Sequence, residues 1–326
     1  MKTDTLQSVA AVGEPTLATI RAAHERIRAH IHRTPVLTSR LLDARTGGSL
    51  FFKCENFQKV AAFKARGACN AVFSLTDDQA RRGVVTHSSG NHGAALAWAA
   101  AKRGVKAHVV MPSNAPRAKK FAVEAYGATI VFCEPRIASR EETTGRLIDE
   151  LGLELVHPYN DFRVIAGQGT AALELLEDFP DLDIVMTPLG GGGLLSGTAI
   201  AVKGVNPHIA VVGAEPAGAD DGYRSFKSGQ MVTAATPETV CDGLRSLLGD
   251  KSFAAIRSHV DDVVLASETN VVQAMRQLWE IMKIVVEPSA CPPLAAILDG
   301  NLDVKGKRVG IVLTGGNVDL DKLPWQ

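Results

Sequence analysis

Two glycine-rich turns, one lysine and one acidic loop carry the chemistry this sequence offers. The stretches SSGNHG, Ser88 to Gly93, and GGGG, Gly190 to Gly193, each follow an apolar run and precede a helix-like one. Glycine lets a ligand approach the backbone closely, and the N–H groups at a helix start face negative charge. One such turn is often only a turn; two in one chain suggest a ligand, or a ligand pair, with two anionic groups. Lys64 lies among small and apolar residues in QKVAAFKARGA. Burial disfavours the ammonium form and lowers the lysine pKa, which is what an imine-forming amine requires. Glu215, Asp220 and Asp221 in AEPAGADDGY put carboxylates and carbonyls on one loop. That suits Mg²⁺ or Ca²⁺, and equally suits a solvated acidic surface.

The second turn fits a dinucleotide site poorly. Glu215 follows it by about 20 residues, where a ribose-binding acid would stand. Leu195 and Ser196, however, occupy the positions of the third glycine of GxGxxG, counted from Gly190 or Gly191. A phosphate loop fails for want of GK[ST].

The elements that must hold these residues alternate along the chain. Leu17, Ile20, Ala23, Ile27 and Ile31 recur at helical spacing after Pro15, predicting an amphipathic helix over 16–31. From Val84 onward strand, glycine turn and helix repeat. Val84 to Thr86, Ala107 to Met111 and Ala128 to Phe132 read as strands, as do Ile184 to Met186, Ile209 to Gly213 and Arg308 to Leu313. Such alternation predicts an α/β chain with parallel strands joined by right-handed crossovers. At roughly 100–200 residues per domain, 326 residues allow about two domains, with a shared cleft as the default site.

Composition narrows the partner. Lys plus Arg and Asp plus Glu are 35 each, so the net charge is zero, against a nucleic-acid binder or a polybasic membrane-surface protein. A small-molecule partner fits better. Cys54, Cys69, Cys133, Cys241 and Cys291 are scattered without CxxC spacing, as thiols in a reducing cytosol would be. The N-terminal stretch lacks the apolar core of a signal peptide, and no run is long enough for a membrane helix, so a cytoplasmic protein is expected.

FKARGA around Lys64, SSGNHG, GGGGL, EPSA at Glu287 to Ala290 and TGGN at Thr314 to Asn317 together resemble the fold-type II pyridoxal-phosphate enzymes. Within them, the sequence is most similar to the serine racemase, threonine dehydratase and hydroxyaspartate dehydratase group. The resemblance runs from about Arg33 to Leu320 and implies two domains of parallel-rich open sheets flanked by helices. The large, cofactor-binding one would comprise residues 1–67 and 159–326, and the small one 68–158. By the same resemblance Lys64 would hold pyridoxal phosphate as an internal aldimine, with Phe63 against the ring. Gly190, Gly191, Gly192, Gly193 and Leu194 would cradle the phosphate. Asn91 would bond the ring hydroxyl, and Thr314 would face the pyridine nitrogen. Ser88, Ser89, Asn91 and His92 would take the substrate α-carboxylate, with Lys64 and Ser89 as bases on opposite faces of the ring.

The acidic loop resembles the divalent-metal site of serine-racemase-like members, which carries Mg²⁺, Ca²⁺ or Mn²⁺ to Glu215, the carbonyl of Ala219, and Asp221. A homodimer is implied too. A neutral hydroxyl at Thr314 makes the ring a milder electron sink, suited to elimination. VAAFK stands where many relatives have TGSFK, and CPP follows EPSA where a glycine-containing stretch is common. A β-carboxylate on the substrate would need a cation, for which Arg140, Arg163 and Arg245 are candidates. The reading leans to dehydration of 3-hydroxyaspartate. Serine racemisation and serine or threonine dehydration are the alternatives, a catalytically silent binding protein is another, and an NAD-dependent dehydrogenase is a distant one. The chain ends soon after TGGN, so feedback through a C-terminal regulatory domain is not expected.

Overall fold

In the computed structural model, residues 13–88, 90–115, 117–232 and 236–326 are described. Among the described residues ten strands form two sheets: β1 (Val36–Thr38), β2 (Ser49–Cys54), β3 (Val84–His87), β4 (Ala107–Pro112), β5 (Thr129–Cys133), β6 (Glu154–Leu155), β7 (Ile184–Pro188), β8 (Ala210–Pro216), β9 (Asp262–Ala266) and β10 (Arg308–Leu313). The larger sheet has the order β1-β2-β10-β7-β8-β9 and the smaller β5-β4-β3-β6. All pairings are parallel except β1 with β2. The two mainly parallel open sheets with flanking helices are the α/β architecture the alternation predicts.

Every strand expected from an apolar run is present, within two residues at either end except β8, which runs three residues past Gly213 to Pro216. The first helix is shorter than its periodicity, Leu17–Ile27, with Thr16 and Thr19 forming a capping box. Alternation sorts side chains to two cores on the large sheet. Leu50, Phe52 and Cys54 of β2 face one with Met186, Val212 and Ile311. Phe51 faces the other with Val185, Val211 and Val263, where the helices Phe162–Asp178 and Gly193–Val205 pack.

Parallel order gathers loops at the C-terminal ends of strands, where ligands bind in open sheets. β3 runs into SSGNHG, β7 into GGGG and β10 into TGGN. The helix carrying the lysine, Lys64–Phe73, packs its Ala68, Cys69, Ala71 and Val72 against Val84 of β3 and Ala95, Leu96 and Ala99 of the helix Asn91–Arg103. It therefore meets elements of the smaller sheet at one end while its first turn meets the β10 turn of the larger.

Candidate active site

Lys64 opens its helix, and the loop before it is shaped by the β10 turn. Ala62 pairs with Gly315, Phe63 N donates to Thr314 O at 3.0 Å, and Gly316 N donates to Ala61 O at 3.0 Å. Held this way, Val60 and Ala61 take φ of 54° and 51°. The left-handed region is unusual for non-glycine residues and a strain for a β-branched one. The Lys64 Nζ donates to Pro158 O at 2.8 Å and lies 5.0 Å from the Phe63 ring centre. Burial pushes its pKa down to about 8, against the pull of the Glu287 carboxylate. A substantial neutral fraction near pH 7–8 makes it a competent nucleophile and base.

The GGGG turn lies against the segment that follows β6. A Cβ on Gly191 would collide with the Tyr159 ring, and one on Gly193 would lie 2.9 Å from Tyr159 O. Gly192 has φ of 87°, and a Cβ there would meet Leu248 and Ser252, each at 2.7 Å. Gly192 precedes the helix Gly193–Val205 and offers no side-chain cap, as Gly90 offers none to the helix Asn91–Arg103. The first N–H groups of both helices thus lack a capping side chain, as an anion site requires. Leu194 is buried at the start of its helix.

Asn91 ties the first turn to the β10 turn through Glu287. Its Nδ2 donates to both carboxylate oxygens, at 3.0 and 3.1 Å, and its Oδ1 accepts from Asn317 Nδ2 at 3.0 Å. Glu287 is buried, and that burial raises its pKa to about 7 despite the Asn91 bonds. Thr314 is buried beside it, its hydroxyl donating to Ser289 O at 3.4 Å. His92 is almost fully buried, with Nε2 donating to Val156 O at 3.1 Å. Burial keeps the ring neutral, so what His92 presents to a carboxylate is its backbone N–H in the first helical turn. Ser88 Oγ accepts from Gly90 N at 3.3 Å. Ser89 lies outside the described residues.

A residue family described as "Pyridoxal-phosphate dependent enzyme" matches residues 27–315. The chain belongs to the fold-type II pyridoxal-phosphate enzymes. It is 53% identical over 311 residues to the beta-hydroxyaspartate dehydratase of Paracoccus denitrificans, covering 95% of this chain and 99% of that protein. It is 49% identical over 312 residues to the serine racemase of Dictyostelium discoideum, covering 94% and 96%. The solved structure of maize serine racemase superposes with a TM-score of 0.93 at 46% identity, covering 95% of each chain.

The residues fit the family's cofactor. The glycine cradle leaves no room for a Cβ, two helix starts lack a capping side chain, and a lysine of lowered pKa donates to the Pro158 carbonyl, next in sequence to the Tyr159 that packs on the cradle. When bound, pyridoxal phosphate supplies the electron sink that stabilises a negative charge at the substrate α-carbon. Glu287, Pro158 and Tyr159 are contributors that the sequence reading missed. Glu287 appeared only as a letter of EPSA, although a carboxylate directly after the apolar run Ile284-Val285-Val286 was a signal in itself. The Pro158 carbonyl and the Tyr159 ring carried no such signal.

The expected metal loop has two buried carboxylates, Glu215 and Asp221. Glu215, at the end of β8, accepts from Gly222 N at 3.1 Å and Tyr223 N at 2.6 Å. Burial, with Asp221 and Asp220 adding to it, raises its pKa to about 9. Asp221 is buried and accepts from Leu248 N at 3.2 Å, and Ala219 is buried between them in sequence. Among the described residues neither Glu215 nor Asp221 forms an ion pair, and no group of three or more His, Cys, Asp or Glu side chains gathers for a metal. A cation held by two carboxylates and a carbonyl is compatible with both facts.

The three candidate arginines separate. Arg163 is spent on Asp161 at 2.6 Å, Glu154 at 2.8 Å and Leu155 O at 2.9 Å. Arg245 donates to Thr239 O at 2.6 Å. The Arg140 Nε is buried with no hydrogen-bond partner among the described residues. Its charge acts on His87 and Tyr159. Those rings stack edge-on through His157, at 5.0 and 4.7 Å, so the column reaches from His87 to Gly191, while the Arg140 side chain lies beside Cys133.

Proposed function

We propose that this enzyme eliminates water from a β-hydroxy amino acid and that its substrate is 3-hydroxyaspartate. Arg140 carries the assignment: a half-buried arginine beside Cys133, its Nε without a hydrogen-bond partner among the described residues and its charge felt at His87 and Tyr159, is a cation that a second substrate carboxylate calls for. The similarity to a hydroxyaspartate dehydratase over nearly the whole chain supports the same substrate.

In this reading the GGGG turn holds the phosphate, Lys64 holds the cofactor carbon, and Thr314 and Asn91 contact its ring. The N–H groups of the first helical turn, with Ser88 and Ser89, hold the α-carboxylate. Lys64, with its lowered pKa, takes the α-proton from an L-configured substrate, and Ser89 serves a D-configured one. Loss of the β-hydroxyl as water leaves an enamine that hydrolyses, after release, to an oxo acid and ammonia. Glu215, the Ala219 carbonyl and Asp221 hold a divalent cation that stiffens the loop and takes no part in the chemistry. The reading includes the 68–158 small domain and a homodimer.

Serine racemisation is the second reading, favoured by the similarity to the Dictyostelium enzyme. Hydroxyaspartate diastereomers, serine enantiomers and threonine, each assayed for ammonia and for inverted product, separate the two.

A further inference from the structure

Two residues beyond Lys64, the same helix carries Arg66, whose side chain is completely buried. All five of its N–H donors are used. Nε and Nη2 donate to the two oxygens of Glu55 at 2.7 and 2.8 Å, while Nη1 and Nη2 donate to the two oxygens of Glu174 at 2.8 and 2.7 Å. The fifth goes to Thr170 Oγ1 at 3.1 Å. Lys53, also fully buried, completes a neutral quartet by donating to Glu174 at 2.6 Å and Thr34 O at 2.8 Å. Burial alone would raise the Glu174 pKa, but the Arg66 and Lys53 bonds hold it down to about 2.

Buried ion networks are weak devices for stability, because desolvation offsets their attraction, but they fix one arrangement. Here the arrangement is rotational. Residues two apart on a helix project about 200° apart, so Arg66 and Lys64 leave opposite sides of the helix. Glu55 follows β2, and Glu174 and Thr170 lie on the helix Phe162–Asp178. A guanidinium locked to both prevents the Lys64 helix from turning about its axis.

We propose that Arg66 is a positioning residue that sets the aim of the Lys64 amine through this double clamp. The proposal rests on Lys64 being the cofactor lysine. A displacement of about 1 Å at a reacting group costs on the order of 100-fold in rate, which is the lever the clamp controls.

The test uses Arg66→Lys, which keeps the charge and loses the fork, and Glu174→Gln, which keeps the shape and loses one charge. Thr170→Val is a milder variant that removes a single partner. Each purified enzyme is stripped of cofactor and reconstituted. The rate at which added pyridoxal phosphate develops its visible imine absorption is then measured beside kcat, KM and Tm. In folded Arg66→Lys or Glu174→Gln protein, imine formation slows by about tenfold or more and kcat per bound cofactor falls about 10–100-fold, with KM within about twofold. If both fail to fold, Thr170→Val still slows imine formation by about two- to threefold. Lowered Tm with wild-type imine formation and kcat per site would make the quartet merely structural and overturn the proposal. Lys64→Ala separates the two readings: imine absorption persisting there overturns the role of Lys64 itself, whatever the clamp does.

Discussion

Asn91 Nδ2 donates to both carboxylate oxygens of Glu287, at 3.0 and 3.1 Å, across 196 positions of sequence. The pair fixes the amide that begins the helix Asn91–Arg103 against the loop that follows Val286, beside the turn that shapes the approach to Lys64. It also fixes which way the amide faces, since a carboxylate accepts only from Nδ2. Asn91 Oδ1 is left to Asn317 and to any donor on a bound ring.

Glu287 gives a pH signature. Its pKa is raised from 4.5 to about 7 in the folded protein, so between those values the folded state holds more protons than the unfolded one. Stability falls as pH rises through that window, by at most about 3 kcal/mol. Urea unfolding of the cofactor-free protein at pH 5 and pH 7.5 should show this loss. Glu287→Gln should shrink the loss to the part that Glu215, with its raised pKa, contributes over the same window, and an undiminished loss in the variant would assign it elsewhere.

The lowered Lys64 pKa predicts how the stripped enzyme takes up its cofactor. Only the neutral amine attacks, so the rate of imine formation should rise with pH and level off above about 8. A rate still climbing toward pH 10 would place Lys64 at the ordinary value for lysine.

Substitution of Arg140 should act on one substrate and not another. Arg140→Ala should lower kcat/KM for 3-hydroxyaspartate by about 10–100-fold, the cost of a lost charged hydrogen bond, and leave serine turnover within about threefold. Equal losses on both substrates would place Arg140 outside the distal subsite.

Glu215 and Asp221 predict stabilisation by a divalent cation. Mg²⁺ at about 100 times its dissociation constant should add about 2.7 kcal/mol, read as a rise in Tm over an EDTA-treated sample. Asp221→Asn should abolish the rise. A Tm indifferent to Mg²⁺, Ca²⁺ and Mn²⁺ in the wild-type protein would leave the loop without a metal role.

The parts of the site that were legible in sequence are local. SSGNHG and GGGG could be read because glycine turns between an apolar strand and a helix signal themselves within a dozen residues. Lys64 could be read for the same reason, from its small neighbours. What was missed depends on distant partners. β2 was not expected as a strand, because Lys53 interrupts the run SLFFKC. Its charge is tolerated only because Glu174, 121 positions away, meets it. Glu287 and Tyr159 likewise take their roles from segments brought together by the parallel crossovers. The strain at Val60 and Ala61 comes from the turn after β10, some 250 residues later.

The central claim is tested most directly by the ratio of kcat/KM for ammonia release from the best 3-hydroxyaspartate diastereomer to that from L-serine, with D-serine formation measured in parallel. The account predicts a ratio of at least about tenfold, with a dicarboxylic oxo acid formed one-for-one with ammonia and serine racemisation slower than either. Interconversion of the serine enantiomers outpacing ammonia release from every hydroxyaspartate diastereomer would contradict it.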